Sequence, residues 1–183
     1  MVEFYAAKLR YIESRRLRLV AATRDLIRED LAGRQTLGVA LGVEVPENWP
    51  PDLYDRQAMG FASRQLRDST QQGWSFWYLI RHTAGAEVLL GICGFKGRPD
   101  EQGSVEIGYS ILSQFHNSGF ASEAVSRLVT WAFGHPVVNE VCAETLPHLI
   151  QSIRVLEKNG FSLTGQGSER GVIRYAIQRS GLD

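Results

Sequence analysis

Residues Gln114–Phe133, QFHNSGFASEAVSRLVTWAF, set Asn117, Ser118 and Gly119 directly ahead of a strongly amphipathic helix. The first turn of a helix leaves several backbone N–H groups unpaired, and the macrodipole adds partial positive charge there. A glycine in that turn lets a phosphate approach with no side chain in its way. The same residues also read as an ordinary helix start, because Ser118 is a good N-cap. A second stretch with chemical potential is SVEIGYSIL, 104–112. Alternation puts Val105, Ile107, Tyr109 and Ile111 on one face of a strand and Glu106, Gly108 and Ser110 on the other. A mid-strand carboxylate is costly to bury, so the face of Glu106 is either open to solvent or borders a cleft, where it could take a proton. Glu144, on a later strand, is a reserve candidate. Glu123 falls in the first turn of the helix, where the dipole accounts for it.

Other chemistries find little support. Cys93 and Cys142 lie in apolar, strand-like runs and read as buried thiols in a reducing compartment. The four histidines show no metal-ligand spacing with them, so no metal is expected. Lys and Arg together equal Asp and Glu at 20 each, which gives no basic face for nucleic acid. The local run RRLRL reads as the solvent side of a strand. No stretch is apolar enough to span a bilayer, and the N-terminus has no signal-peptide core. The expected setting is cytoplasmic, without membrane or nucleic-acid partners.

The elements that must position these residues follow from periodicity. With 183 residues, 44% hydrophobic, and no repeat or linker, the chain reads as one domain, 1–183. A strand near 16–22 leads to a helix capped by Thr23 and ending near Gly33. Residues 34–51, with Gly38, Gly42 and three prolines, read as a loop or short helical turn. Asp52 then caps a second helix. Three strand-like runs, 74–82, 87–97 and 104–112, are joined by short turns, which predicts an antiparallel meander. The helix 119–134 and a strand at 138–146 complete a β-α-β unit with a parallel crossover. A helix ends at Asn159–Gly160, a short strand lies near 161–164, and VIRYAIQR closes the chain. The fold class is α/β: a mixed, mostly antiparallel sheet with helices on both faces. Three strands in a row argue against a doubly wound fold.

EIGYSI, then a small-residue loop, then GFASEA opening a helix, then SIRVLEKNGF together resemble the GNAT acyltransferases. The branch most resembled contains the ribosomal-protein alanine acetyltransferases. The likeness covers nearly the whole element order and is densest from 104 to 161. The family's pyrophosphate loop, Q/R-x-x-G-x-G/A, falls on His116, Asn117, Ser118, Gly119, Phe120 and Ala121, with His116 in place of the usual glutamine or arginine. The resemblance implies acetyl-CoA as co-substrate and a cofactor set of Ile111, Leu112, His116, Asn117, Ser118, Gly119, Phe120, Ala121, Ser122 and Ser152. It implies that backbone amides hold the diphosphate, with His116 as a further donor. It also implies Glu106 as general base and Ser152 as the group protonating the departing thiolate. The family's N-x-x-S falls on Leu149 and Ser152, so the asparagine contact to pantetheine is replaced by leucine.

The acceptor implied is a primary amine, a protein N-terminus or a small molecule, and a homodimer is left open. An α-amine has a pKa of roughly 8 and a lysine amine roughly 10.4, a gap of about 3 kcal/mol in deprotonation. One candidate base therefore suits an α-amine better. Trp49, Val43 and Val45 are expected to wall the acceptor side, where only Glu44 and Glu47 are available to a polycation. The rival from another class is a non-catalytic acyl-CoA-binding module. A dinucleotide-binding fold would need G-x-G-x-x-G between strand and helix, and neither GICGFKG nor GQGSERG is so placed.

Overall fold

The computed structural model describes residues 9–82 and 85–179. Its spine is one sheet in the order β1-β2-β3-β4-β5-β6-β8-β7. The strands are β1 (Tyr11–Glu13), β2 (Leu17–Ala21), β3 (Phe76–Arg81), β4 (Val88–Phe95), β5 (Ser104–Ile111), β6 (Glu140–Thr145), β7 (Ser162–Gln166) and β8 (Ile173–Gln178). The helices are α1 (Arg24–Ala32), α2 (Arg34–Leu41), α3 (Arg56–Gln65), α4 (Phe120–Phe133) and α5 (Ile150–Lys158). The expected meander is present: β3, β4 and β5 pair antiparallel in succession. The α4 crossover makes β5 and β6 parallel neighbours.

Alternation along the strands divides the core into two layers. Leu17, Leu19, Trp77, Leu79, Val105 and Ile107 face α4 and α5, where Ala124, Val125, Leu128 and Leu156 bury against them. Val20, Tyr78, Ile80 and Leu89 face the other way, onto Leu26, Ile27, Leu37, Leu41 and Met59 of α1, α2 and α3. Both faces of the central strands are thus covered, which explains their near-continuous apolar runs.

Three sequence expectations need correction. The stretch after Gly33, read as a loop or short helical turn, opens with a full helix, α2 at Arg34–Leu41, and is irregular only from Gly42 on. Gly33 ends α1 by donating to the Glu29 carbonyl and begins α2 in the same residue. Leu37 and Leu41, four apart, carry the buried stripe, and Gly42 closes the helix at φ 69°. The cap of α3 is Asp55, which accepts from the Ala58 amide at 2.9 Å, not Asp52. A short edge strand, β1, precedes the first strand expected from the pattern.

The feature that makes the site is the incompleteness of the β5–β6 ladder. Pairing covers Ser104↔Glu140, Val105↔Val141 and Glu106↔Cys142, and stops there. Beyond this point Ile107–Ile111 pairs only with β4, and Ala143–Thr145 only with β8, among the described residues. Two strands that begin side by side diverge, and a wedge opens in the middle of the sheet.

Candidate active site

A cavity of about 890 Å³ fills this wedge. Its walls are Glu106–Ile111 of β5, Ala143–Thr145 of β6, the start of α4, and Gln151 and Ser152 at the start of α5. Asp52 and Leu53 close one side, held by the Ser110 hydroxyl, which donates to the Asp52 carbonyl.

The backbone of β5 has a defined polarity here. Lys96 N–H donates to the Glu106 carbonyl and Leu112 N–H to the Leu90 carbonyl, so the even-numbered residues turn their backbone groups toward β4. Antiparallel alternation then aims the N–H and C=O of Ile107, Tyr109 and Ile111 at the wedge. Gly108 is exposed, and a Cβ built on it meets nothing within 4 Å.

The helix start differs from an ordinary capped one. The N-cap of α4 is Gly119, at φ 80°, with no side-chain cap. The Ser118 hydroxyl, the capping group read from the sequence, donates instead to the His116 carbonyl at 3.2 Å. Asn117 also takes a left-handed conformation, φ 58°. Among the described residues, the six consecutive amides from Asn117 to Ser122 donate to no protein atom; the next, Glu123, begins the helical ladder on the Gly119 carbonyl. Asn117 and Ser118 are exposed and Gly119–Ser122 half-buried or buried, and an array of free donors at a helix N-terminus suits an anion.

Most of the sequence-derived cofactor set meets at this place. Ile111, His116, Asn117, Gly119, Phe120, Ala121, Ser122 and Ser152 border the main cavity, and Ser118 an adjoining one of about 610 Å³ with Arg16 and Lys158. Leu112 borders neither; its side chain is 2% exposed and its amide is bound in the sheet. His116 turns inward: Nε2 lies 2.7 Å from the Ile111 carbonyl. A carbonyl only accepts, so Nε2 carries the proton and is engaged away from the loop amides. Trp49, Val43 and Val45 do not wall the cavity. Val45 is buried under the sheet, and the Trp49 indole donates to buried Asp30 at 2.8 Å.

Among the acids, Glu106 lines the cavity and pairs with Lys96, with its side chain 26% exposed. Glu144 is less available: Oε1 accepts from Ser168 N–H at 2.7 Å and Oε2 from the Ser168 hydroxyl at 2.6 Å. Those hydrogen bonds hold its carboxyl below the usual range. Glu123 is bound to Ser14 and Arg16. Burial would raise its pKa, but the bonds from Arg16 and Ser14 outweigh burial and leave it lowered.

Tyr109 is the group that the sequence reading assigned only to a strand face, with Val105, Ile107 and Ile111. Its hydroxyl lies 3.0 Å from Ser152 Oγ and 3.0 Å from the Ser152 carbonyl. The carbonyl must accept from Tyr109, so Ser152 Oγ–H donates to the Tyr109 oxygen. Burial pushes the phenol up to about 12, against a smaller lowering from Ser152. At neutral pH it is a fixed hydrogen-bond donor.

Residues 16–162 match the family model for the acetyltransferase (GNAT) domain. The chain belongs to the GNAT acetyltransferase family. It is 28% identical over 160 residues to the uncharacterized N-acetyltransferase YjdG of Bacillus subtilis (strain 168), covering 86% of this chain and 93% of that protein. Among solved structures it resembles RimL, a ribosomal L7/L12 alpha-N-protein acetyltransferase, with TM-score 0.66 and 16% identity over 93% of this chain and 95% of that one. It also resembles the microcin C7 self-immunity acetyltransferase MccE in complex with acetyl-CoA and AMP, with TM-score 0.63 and 14% identity over 91% and 94%. The fold and the acyltransferase class follow for this GNAT enzyme. Tyr109 could have been noticed in its sequence only as a tyrosine in an otherwise aliphatic strand face.

Proposed function

We propose that this GNAT enzyme uses acetyl-CoA to acetylate a primary amine, with a protein N-terminal α-amine as the acceptor. The observation that carries the cofactor reading is the run of six unpartnered amides, Asn117–Ser122, at the mouth of the wedge. They suit the diphosphate of coenzyme A, and the outward backbone groups of Ile107 and Tyr109 suit the amides of its pantetheine arm. When bound, acetyl-CoA supplies a thioester carbonyl open to attack and a thiolate leaving group.

The residues of the wedge then have distinct tasks. Glu106 faces the cavity as the base that receives the amine proton, directly or through water. The backbone N–H groups of β5 are fixed donors for a developing oxyanion. Tyr109 stands at the far side of the wedge with its one O–H held by the Ser152 carbonyl, and it reaches a leaving sulfur by turning from that carbonyl. Transfer of its proton from about 12 to a thiolate whose acid lies near 8.5 is uphill by about 5 kcal/mol. Tyr109 therefore suits stabilisation of the leaving sulfur by hydrogen bonding, and the proton shed by the amine ends on the thiol.

The α-amine is favoured over a polycation by the cavity's charges. Lys96, Arg154 and Lys158 stand in its lining beside Asp52, Glu106, Glu144 and Glu169, so the acids that would draw a polycation are largely offset. The structural likeness to RimL supports the same acceptor class. Kinetics with acetyl-CoA and a panel of N-terminal peptides, spermidine and an aminoglycoside test this directly. Peptides should give the highest kcat/KM, and a polycation exceeding every peptide overturns the acceptor assignment. Absence of turnover with all amines, alongside normal CoA binding, would leave a binding module instead.

A further inference from the structure

Arg16, in the run that reads as the solvent side of a strand, reaches across to a segment one hundred residues away. Its backbone N–H donates to Glu123 Oε1 at 2.7 Å, its Nε to Glu123 Oε2 at 2.7 Å, and its Nη1 to the Ser118 carbonyl at 2.9 Å. The guanidinium also lies 4.5 Å from the centre of the Phe120 ring. Ser14, in the same turn, adds a 2.8 Å bond to Glu123 Oε1. The turn between β1 and β2 thus holds Ser118 of the loop together with Phe120 and Glu123 in the first turn of α4.

The loop needs such a brace. Asn117 and Gly119 are both left-handed, at φ 58° and 80°, and a free chain seldom holds two such residues on either side of one other. Six amides make an anion site only while the carbonyls between them point away. The Ser118 carbonyl lies in the middle of the run, and Arg16 holds it outward. Glu123 is a carboxylate one turn into the same helix, where it would repel an anion. Arg16 and Ser14 occupy both its oxygens and neutralise it. Even the space is shared: a Cβ on Gly119 would stand 3.3 Å from Arg16 Nη2.

We infer that Arg16 is a positioning residue for the diphosphate of the donor, acting through the Ser118 carbonyl and Glu123. This rests on the proposed cofactor. Calorimetry with CoA, ADP and pantetheine, on the wild type, Arg16→Met and Arg18→Met, tests it. Arg18 is a neighbouring guanidinium paired with Glu87, so its variant makes the same charge change away from the loop. Arg16→Met should weaken CoA and ADP by about tenfold, the loss of a charge-assisted hydrogen bond, and leave pantetheine unchanged. KM for acetyl-CoA should rise by a similar factor, with kcat at saturation within about twofold. Arg18→Met should alter none of these. If Arg16→Met does not fold, Arg16→Lys, which keeps the charge but not the fork, should show the same split between ADP and pantetheine. Unchanged ADP binding, equal loss for pantetheine, or equal loss in Arg18→Met overturns the inference. Failure of the wild type to bind either CoA or ADP overturns the cofactor reading, and the inference with it.

Discussion

The hydroxyls of Tyr109 and Ser152 stand 3.0 Å apart and form a directed relay that ends on the Ser152 carbonyl. The relay joins β5 to the first turn of α5, the two walls of the wedge. Tyr109→Phe removes, with little change in volume, the hydroxyl that in the proposed mechanism turns from the Ser152 carbonyl to the leaving sulfur. Its kcat should fall about 10- to 100-fold while KM for acetyl-CoA holds. The phenol is raised above its ordinary value, so it stays protonated below the ordinary tyrosine range. A limb of the wild-type pH–rate profile near neutrality that disappears in Tyr109→Phe would contradict this role.

Glu106 and Lys96 separate two explanations of one carboxylate. Glu106→Gln removes both the proposed base and the ion pair, and the rate should fall by a factor on the order of 10² to 10⁴. Lys96→Met removes the ion pair and keeps the base, so it should retain activity to within about tenfold. If both variants lose rate equally, the ion pair and not proton transfer is what Glu106 provides.

Glu123 has a predictable acid signature. Its carboxyl is lowered in the folded protein despite burial. Its contribution to stability is therefore complete at neutral pH and is lost as pH falls through the folded value. Glu123→Gln should be less stable than wild type at pH 7, by about 1–2 kcal/mol. The gap should narrow on acidification below the ordinary glutamate range. Denaturant titrations at both pH values read it out, and a gap that widens in acid would be the contrary result.

Glycines on neighbouring strands should respond in opposite ways. A side chain on Gly108 enters open cavity, so Gly108→Val should fold with near-native melting temperature and lose acetyl transfer. A Cβ on Gly94 would lie 2.2 Å from the Phe76 Cα, so Gly94→Ala should lose about 1–3 kcal/mol of stability. Thermal unfolding and activity, measured together, distinguish blocked site from strained core. An inactive Gly108→Val that has also lost its stability would refute the open-space reading.

The part of the molecule legible in sequence is the part whose local pattern coincides with its role. The β5 alternation, the helix opened at Gly119 and the Asn159–Gly160 stop are all local signals, and each stands where expected. α2 was hidden because Gly38 lowers helix propensity in its middle, while the tertiary burial of Leu37 and Leu41 decides the matter. Trp49 read as a wall because nothing in sequence shows that Asp30, on another element, accepts its indole N–H. Arg16 was unreadable for the same reason: its partners are distant in the chain. Ser118 has the chemistry of a cap, but the left-handed Asn117 and Gly119 turn the backbone so that its hydroxyl bonds behind it.

The three-residue ladder between β5 and β6 has a consequence for the mechanics of the molecule. A sheet of eight strands is there reduced to a narrow weld, with the meander on one side and the β6–β8–β7 set on the other. A donor seated in the wedge would act as a short additional strand and splice the halves together. Amide hydrogen exchange at Ile107, Tyr109 and Ile111 should then slow on loading far more than at Gly94 or Ile92, already locked in the meander. A bound donor would in this sense be a structural member of the sheet, and each turnover would dismantle part of the framework that held it.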